Sequence, residues 1–231
     1  IGAGIQPQTT VSVLCPNVPE MLELHFAVPM TGAVLNTINT RLDAKTIATI
    51  LGHGESQMLF VDREYTDVAE AALAMCDCKI LVIGIDDPAV DIGRMIGGTD
   101  YETFLAGGNV EEPLFDLRDE TMPISLSYTS GTTGNPKGVL LTHKSMISGF
   151  FSWLCISQIR VELYGDGLDV SSGKQLSILH CVPLFHVTGS HVGFFMSIPV
   201  GRKIVMMKKW DAKEALELLE KEKITNITGV P

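Results

Sequence analysis

This sequence predicts an α/β fold: two doubly wound subdomains with mainly parallel sheets and helices on both faces. Three observations carry it. Apolar runs of strand length alternate with stretches of helical period along most of the chain. The runs are apolar nearly throughout, as strands buried on both faces are. The helical stretches open at capping residues and close at glycines, so the punctuation agrees with the pattern. A first subdomain is expected over 1–84, an acidic connection over 85–121 and a second subdomain over 122–231.

In order, TTVSVLC (9–15) alternates and then turns apolar, which suits a buried strand. Asn17 is placed to cap a helix from Pro19 through Met30, with Pro19 in its first turn. AVLNTI (33–38) reads as a short strand. Asp43 caps a helix over 43–54 that Gly52 or Gly54 ends. QMLFVD (57–62) is a strand, 65–76 a helix and KILVIG (79–84) a strand. A short helix is expected near Tyr101–Leu105. PISLSYT (123–129) is a strand and VLLTH (139–143) a second extended piece, with a helix from about Lys144 to Ile159. LSILHCV (176–182) and RKIVMM (202–207) are strands flanking a helix over 186–198. Asp211 and Glu214 form a capping box for a helix over 211–223 with an apolar face of Ala215, Leu216, Leu218 and Leu219. ITNITGV (224–230) is the last strand. The chain stops straight off it, and the expectation is a piece of a longer protein.

The 231 residues are 45% hydrophobic and 19% charged, enough for a real core and too apolar for disorder. The net charge of −10 is concentrated: residues 86–120 hold ten acids against Arg94 and Arg118. That window reads as a solvated connection. With no basic stripe, nucleic acid is not an expected partner. The five cysteines are odd in number and include no C-x-x-C pair, so all five are expected as reduced thiols in a cytoplasmic protein. No basic-then-apolar leader opens the chain. Residues 175–201 carry no Asp, Glu, Lys or Arg, but three histidines, two prolines and several glycines point to a buried strand–loop–helix rather than a membrane span. Peripheral membrane association has no basic amphipathic helix to support it.

The densest chemistry is YTSGTTGNPKG at 128–138, which follows directly on an apolar strand. Its glycines allow backbone N–H groups to turn inward and form a concavity for anions. Thr129, Ser130, Thr132 and Thr133 add short hydroxyl donors. Lys137 adds a compact positive charge and Pro136 stiffens the approach to it. Together these parts suit a polyphosphate. The loop is not the Walker type, because Gly131 and Gly134 stand too close and Gly138 follows the lysine where Ser or Thr belongs. A polar turn between strands would need none of this density.

YTSGTTGNPKGVLLTH resembles the signature loop of the adenylate-forming, AMP-binding superfamily, which includes acyl-CoA synthetases, 4-coumarate-type ligases, luciferases and peptide-synthetase adenylation domains. VPLFHVTGS (182–190) is similar to the family segment ending in a histidine beside the acyl pocket. SVLCPNVPEML (12–22), GAVLNTINTRL (32–42) and 210–231 resemble its N-terminal region as found in fatty-acid–CoA ligases. The resemblance covers nearly the whole chain and implies part of the large N-terminal domain of such an enzyme.

The resemblance implies an ATP-dependent acid–thiol ligase. A carboxylate attacks the α-phosphate, pyrophosphate leaves, and CoA displaces AMP from the acyl-adenylate. By motif match, Thr129, Ser130, Gly131, Thr132, Thr133, Gly134 and Lys137 hold the ATP phosphates. Thr132 and Lys137 carry the electrostatic work on the departing pyrophosphate. His186, with Val187, Thr188 and Gly189, lines the acyl side, whereas His180 and His191 match nothing and read as structural. Apolar neighbours favour a fatty or aromatic acid over an amino acid. Mg2+ is implied, with its ligand and the ribose-binding Asp in segments this chain does not contain, so the 231 residues are expected not to complete either half-reaction alone. Alternatives are another acceptor within the superfamily, or a nucleotide-binding protein without catalysis. Chain length of the acid and oligomeric state are not legible.

Overall fold

The computed structural model describes residues 3–87, 92–109, 111, 115–129, 135–165, 173 and 175–229. They fall into two compact units, Ile1–Thr142 and His143–Pro231. In the first, β1 (Thr10–Leu14), β2 (Val34–Thr37), β3 (Ser56–Asp62), β4 (Leu81–Ile85), β5 (Pro123–Thr129) and β6 (Lys137–Thr142) form one sheet in the order β4-β3-β1-β2-β5-β6. The first five strands are parallel, and β6 returns antiparallel to β5 as the edge.

Helices cover both faces, as the alternation predicts. α2 (Ala44–His53) and α3 (Thr66–Met75) bury Ile47, Ile50, Leu51, Ala69 and Ala72 against Leu14, Ile38, Leu59 and Val61. Phe60 points the opposite way from Leu59 and Val61 and meets Tyr101 and Phe104 of α4 (Tyr101–Ala106) edge to face. The Tyr101 hydroxyl donates to Glu23 of α1 (Pro19–Met30) at 2.7 Å, so α1 and α4 share that second face. The sheet also carries a buried polar chain. Asn36 Nδ2 donates to Ser12 Oγ at 2.8 Å, and Ser12 and Ser56 hydroxyls lie 2.6 Å apart.

The second unit holds α5 (His143–Tyr164), β7 (Ser177–His180), β8 (Lys203–Met206), α6 (Ala212–Lys221) and β9 (Asn226–Thr228). Its three strands are parallel in the order β8-β7-β9. α6 packs on them through a small cluster of Leu179, Met207 and Ala215. Asp211 accepts from the Glu214 backbone N–H at 2.8 Å, which is the expected N-cap.

Four expectations are corrected. The junction between units falls at Thr142–His143, not at 121–122, because β5 finds its parallel partner in β2, with Leu35 opposite Ser125 and Asn36 opposite Leu126. The N-cap of α1 is Val18, without a side-chain cap bond, rather than Asn17. Cys76 and Cys78 are joined in a disulfide, so only Cys15, Cys155 and Cys181 are free thiols. Cys76 leaves α3 in an extended conformation, and the two Cα atoms stand 5.2 Å apart, within reach of a disulfide. Residues 188–197 form a π-helical turn (Thr188–Phe194) followed by a 3-10 turn (Phe195–Ser197), not one regular helix.

Candidate functional site

In the first unit, β5 runs parallel to β1 and β2 and delivers Thr129 to the carboxyl end of the sheet. Ligands in open α/β sheets bind outside that edge. β6 starts at Lys137, and the antiparallel register sets Thr129 opposite Lys137, Tyr128 opposite Gly138 and Ser127 opposite Val139. Two of the expected phosphate-binding residues are therefore neighbours at the mouth of one hairpin, both exposed. Ser130, Gly131, Thr132, Thr133 and Gly134 lie outside the described residues.

Gly138 has a local reason that the motif reading did not supply. A Cβ there would stand 3.0 Å from Leu126 Cδ1 and 3.3 Å from Tyr128 Cζ, so a side chain would crowd both and need them to give by a few tenths of an ångström. Burial raises the Tyr128 phenol above its ordinary value, which keeps its proton in place. Its hydroxyl lies 2.7 Å from Nδ1 of His53, a residue the sequence reading did not single out. No local pattern could have found it, since the partners are 75 residues apart.

In the second unit, the connection after β7 turns at Pro183 and enters the π-helical turn. Leu184 and Phe185 are buried while His186 and Val187 are exposed, so the histidine is carried on an anchored step rather than in the core. The His186 N–H donates to the Pro183 carbonyl at 3.0 Å. The His186 carbonyl accepts from the Ser190 N–H at 2.9 Å and from its hydroxyl at 3.1 Å. The imidazole lies against the Phe185 ring with centroids 4.7 Å apart. Gly189 is buried, and a Cβ on it would overlap the Pro183 carbonyl group, so its smallness serves packing.

His180 and His191 behave otherwise. Burial holds the His180 pKa at about 4, and its Nε2 meets no partner among the described residues. His191 is also pushed down by burial, with Nδ1 2.9 Å from the Ser190 hydroxyl. His180 is buried in the core and His191 is half-buried. His186, Val187, Thr188 and Gly189 stand together in the second unit; Thr129 and Lys137 belong to the first. Among the described residues no group of three His, Cys, Asp or Glu side chains could hold a metal, and no helix is long and apolar enough to cross a membrane.

Comparison with known proteins gives this geometry a context. The chain is 34% identical over 240 residues to a peroxisomal acetate/butyrate–CoA ligase of Arabidopsis thaliana, a match that takes in 99% of this chain and 40% of that protein. It is 34% identical over 241 residues to a peroxisomal benzoate–CoA ligase of the same plant, covering 100% and 39%. Among solved structures, the N-terminal domain of FACL13 from Mycobacterium tuberculosis superposes with a TM-score of 0.78 at 25% identity, over all of this chain and 52% of that one. The chain thus spans about two fifths of the length of these curated ligases. The profile of the AMP-binding enzymes matches residues 1–231, and the chain belongs to that family.

Proposed function

We propose that this chain is the phosphate-binding part of an ATP-dependent acyl-CoA ligase. The observation that carries the reading is the hairpin: it sets Thr129 against Lys137 at the carboxyl end of a parallel sheet, flanking the glycine–hydroxyl loop. Thr129, Ser130, Gly131, Thr132, Thr133, Gly134 and Lys137 would hold the triphosphate. When a carboxylate oxygen bonds to the α-phosphorus, the bond to pyrophosphate breaks and charge gathers on the leaving group. Lys137 and the Thr132 hydroxyl would meet that charge. His186, Val187, Thr188 and Gly189 would serve the acyl side, and the thiol of CoA would then displace AMP. Among the described residues no cluster of His, Cys, Asp or Glu side chains could hold the magnesium ion.

The relatives named for acetate, butyrate and benzoate support a short aliphatic or aromatic acid alongside the fatty acid expected from the sequence. The same names support a peroxisomal location as the competitor of a cytoplasmic one. The test is carboxylate-dependent exchange of labelled pyrophosphate into ATP by the native-length protein. Acetate, butyrate, octanoate, palmitate and benzoate are offered in turn. Exchange with at least one acid, falling about 100-fold or more in Lys137→Ala, is expected. Exchange with none of them, or a Lys137→Ala variant as active as the wild type, sinks the reading.

A further inference from the structure

His53 is remote from Tyr128 in sequence and adjacent to it in space. It is the last residue of α2, and its ring meets that of Tyr128 edge to face, with centroids 5.8 Å apart, in addition to the 2.7 Å contact between Nδ1 and the phenol oxygen. The next residue closes in as well: a Cβ on Gly54 would stand 3.4 Å from the same oxygen. The Tyr128 ring also lies close over Gly138, the first residue after Lys137. Tyr128 thus touches both the end of α2 and the returning strand.

The contact matters because of where the hairpin stands. β6 is the edge of the sheet, with Val139 and Leu140 largely exposed, so within the sheet it is held by β5 alone. The loop hangs from this pair of stems. The cross-strand pair next to its mouth, Tyr128–Gly138, is the one fastened to α2. We propose that His53 is a positioning residue for the phosphate-binding loop: by holding Tyr128 against α2 it fixes the direction in which β5 and β6 present Thr129 and Lys137 to the nucleotide. The proposal rests on the ligase reading above for the identity of that nucleotide.

A contact that only stabilises α2 would leave ATP binding untouched, and the test separates the two. In the native-length protein, His53→Ala removes the ring, Tyr128→Phe removes only the oxygen, and the double variant removes both partners. His53→Gln restores a polar reach. Calorimetry gives the ATP dissociation constant. Pyrophosphate exchange gives KM for ATP and for the acid, and thermal denaturation reports folding. One hydrogen bond of ordinary strength predicts an ATP dissociation constant and KM raised about threefold to tenfold in each single variant. The acid KM should hold, the double should be no weaker than the weaker single, and His53→Gln should recover part of the loss. ATP affinity unchanged in both singles, additive losses in the double, or equal rises in both KM values with a lowered Tm each overturn it. A wild type that binds ATP without carboxylate-dependent exchange ends the ligase reading but still judges His53 through the dissociation constants. A wild type that binds no ATP ends both.

Discussion

His180 closes β7 and His186 follows on the same connection, yet their surroundings differ. His186 is exposed on a step fixed by its own backbone, whereas His180 is 2% exposed and packed on Gly193, where a Cβ would strike the imidazole. Motif matching separated them, because only His186 falls in the segment similar to the family; composition could not, since both sit among apolar residues. The burial of His180 makes a pH prediction. Its folded pKa is about 4 against an ordinary 6.5, so the folded state takes up the proton less readily than the unfolded chain. Stability is therefore full above pH 6.5 and is lost as pH falls toward 4, by about 3 kcal/mol. Thermal denaturation between those limits should show this slope in the second unit. In His180→Leu it should flatten, and an unchanged slope in that variant would remove His180 as the cause.

At the scale of elements, strands and capped helices were largely legible because their signals are local. Asp43 is the cap the sequence predicts and accepts from the Thr46 N–H at 2.8 Å; hydrogen bonds from the Thr46 side chain and N–H hold its carboxyl below the usual carboxylate range. β5 was placed from its apolar run and spans Pro123–Thr129 as expected. The stretch after His186 was harder. A helix was legible there, but the wider π-helical turn over Thr188–Phe194 comes with tight packing of Gly189 on the Pro183 carbonyl and of Gly193 on His180, contacts no periodicity encodes. Insertion of an extra residue per turn of this kind often marks a functional segment. Gly189→Ala should therefore force the turn away from Pro183. A loss of at least about 2 kcal/mol in denaturant unfolding is expected, against a gain of roughly 0.5–1 kcal/mol for Gly149→Ala, a mid-helix position of α5 whose Cβ would meet nothing within 4 Å. Equal effects from the two would show that the close approach is not what requires glycine.

At the scale of the whole molecule, the sequence could list strands but not order them. The chain leaves the first sheet at β4, crosses the acidic stretch and comes back to pair β5 with β2, a long-range choice made by the faces that meet in three dimensions. A compositional break therefore reads as a domain boundary, whereas β5 and β6 join the first sheet. The corrected division has an energetic consequence. The first unit buries a broad core on both faces of its sheet, including Leu14, Leu35, Leu59 and Ile83. The second has a small described cluster, and its longest helix, α5, buries no residue and exposes Phe151, Trp153, Ile156, Ile159 and Leu163. Local opening costs least where few apolar contacts are lost. Native-state hydrogen exchange on the 231-residue chain should find the slowest amides in β1, β2 and β3. Those of α5 should be the fastest among the helices of comparable or greater length than α2, by about two orders of magnitude or more relative to the central strands. Protection in α5 equal to that of β1 would mean that the helix is held as firmly as the sheet, and that its exposed apolar side chains understate the contacts it makes.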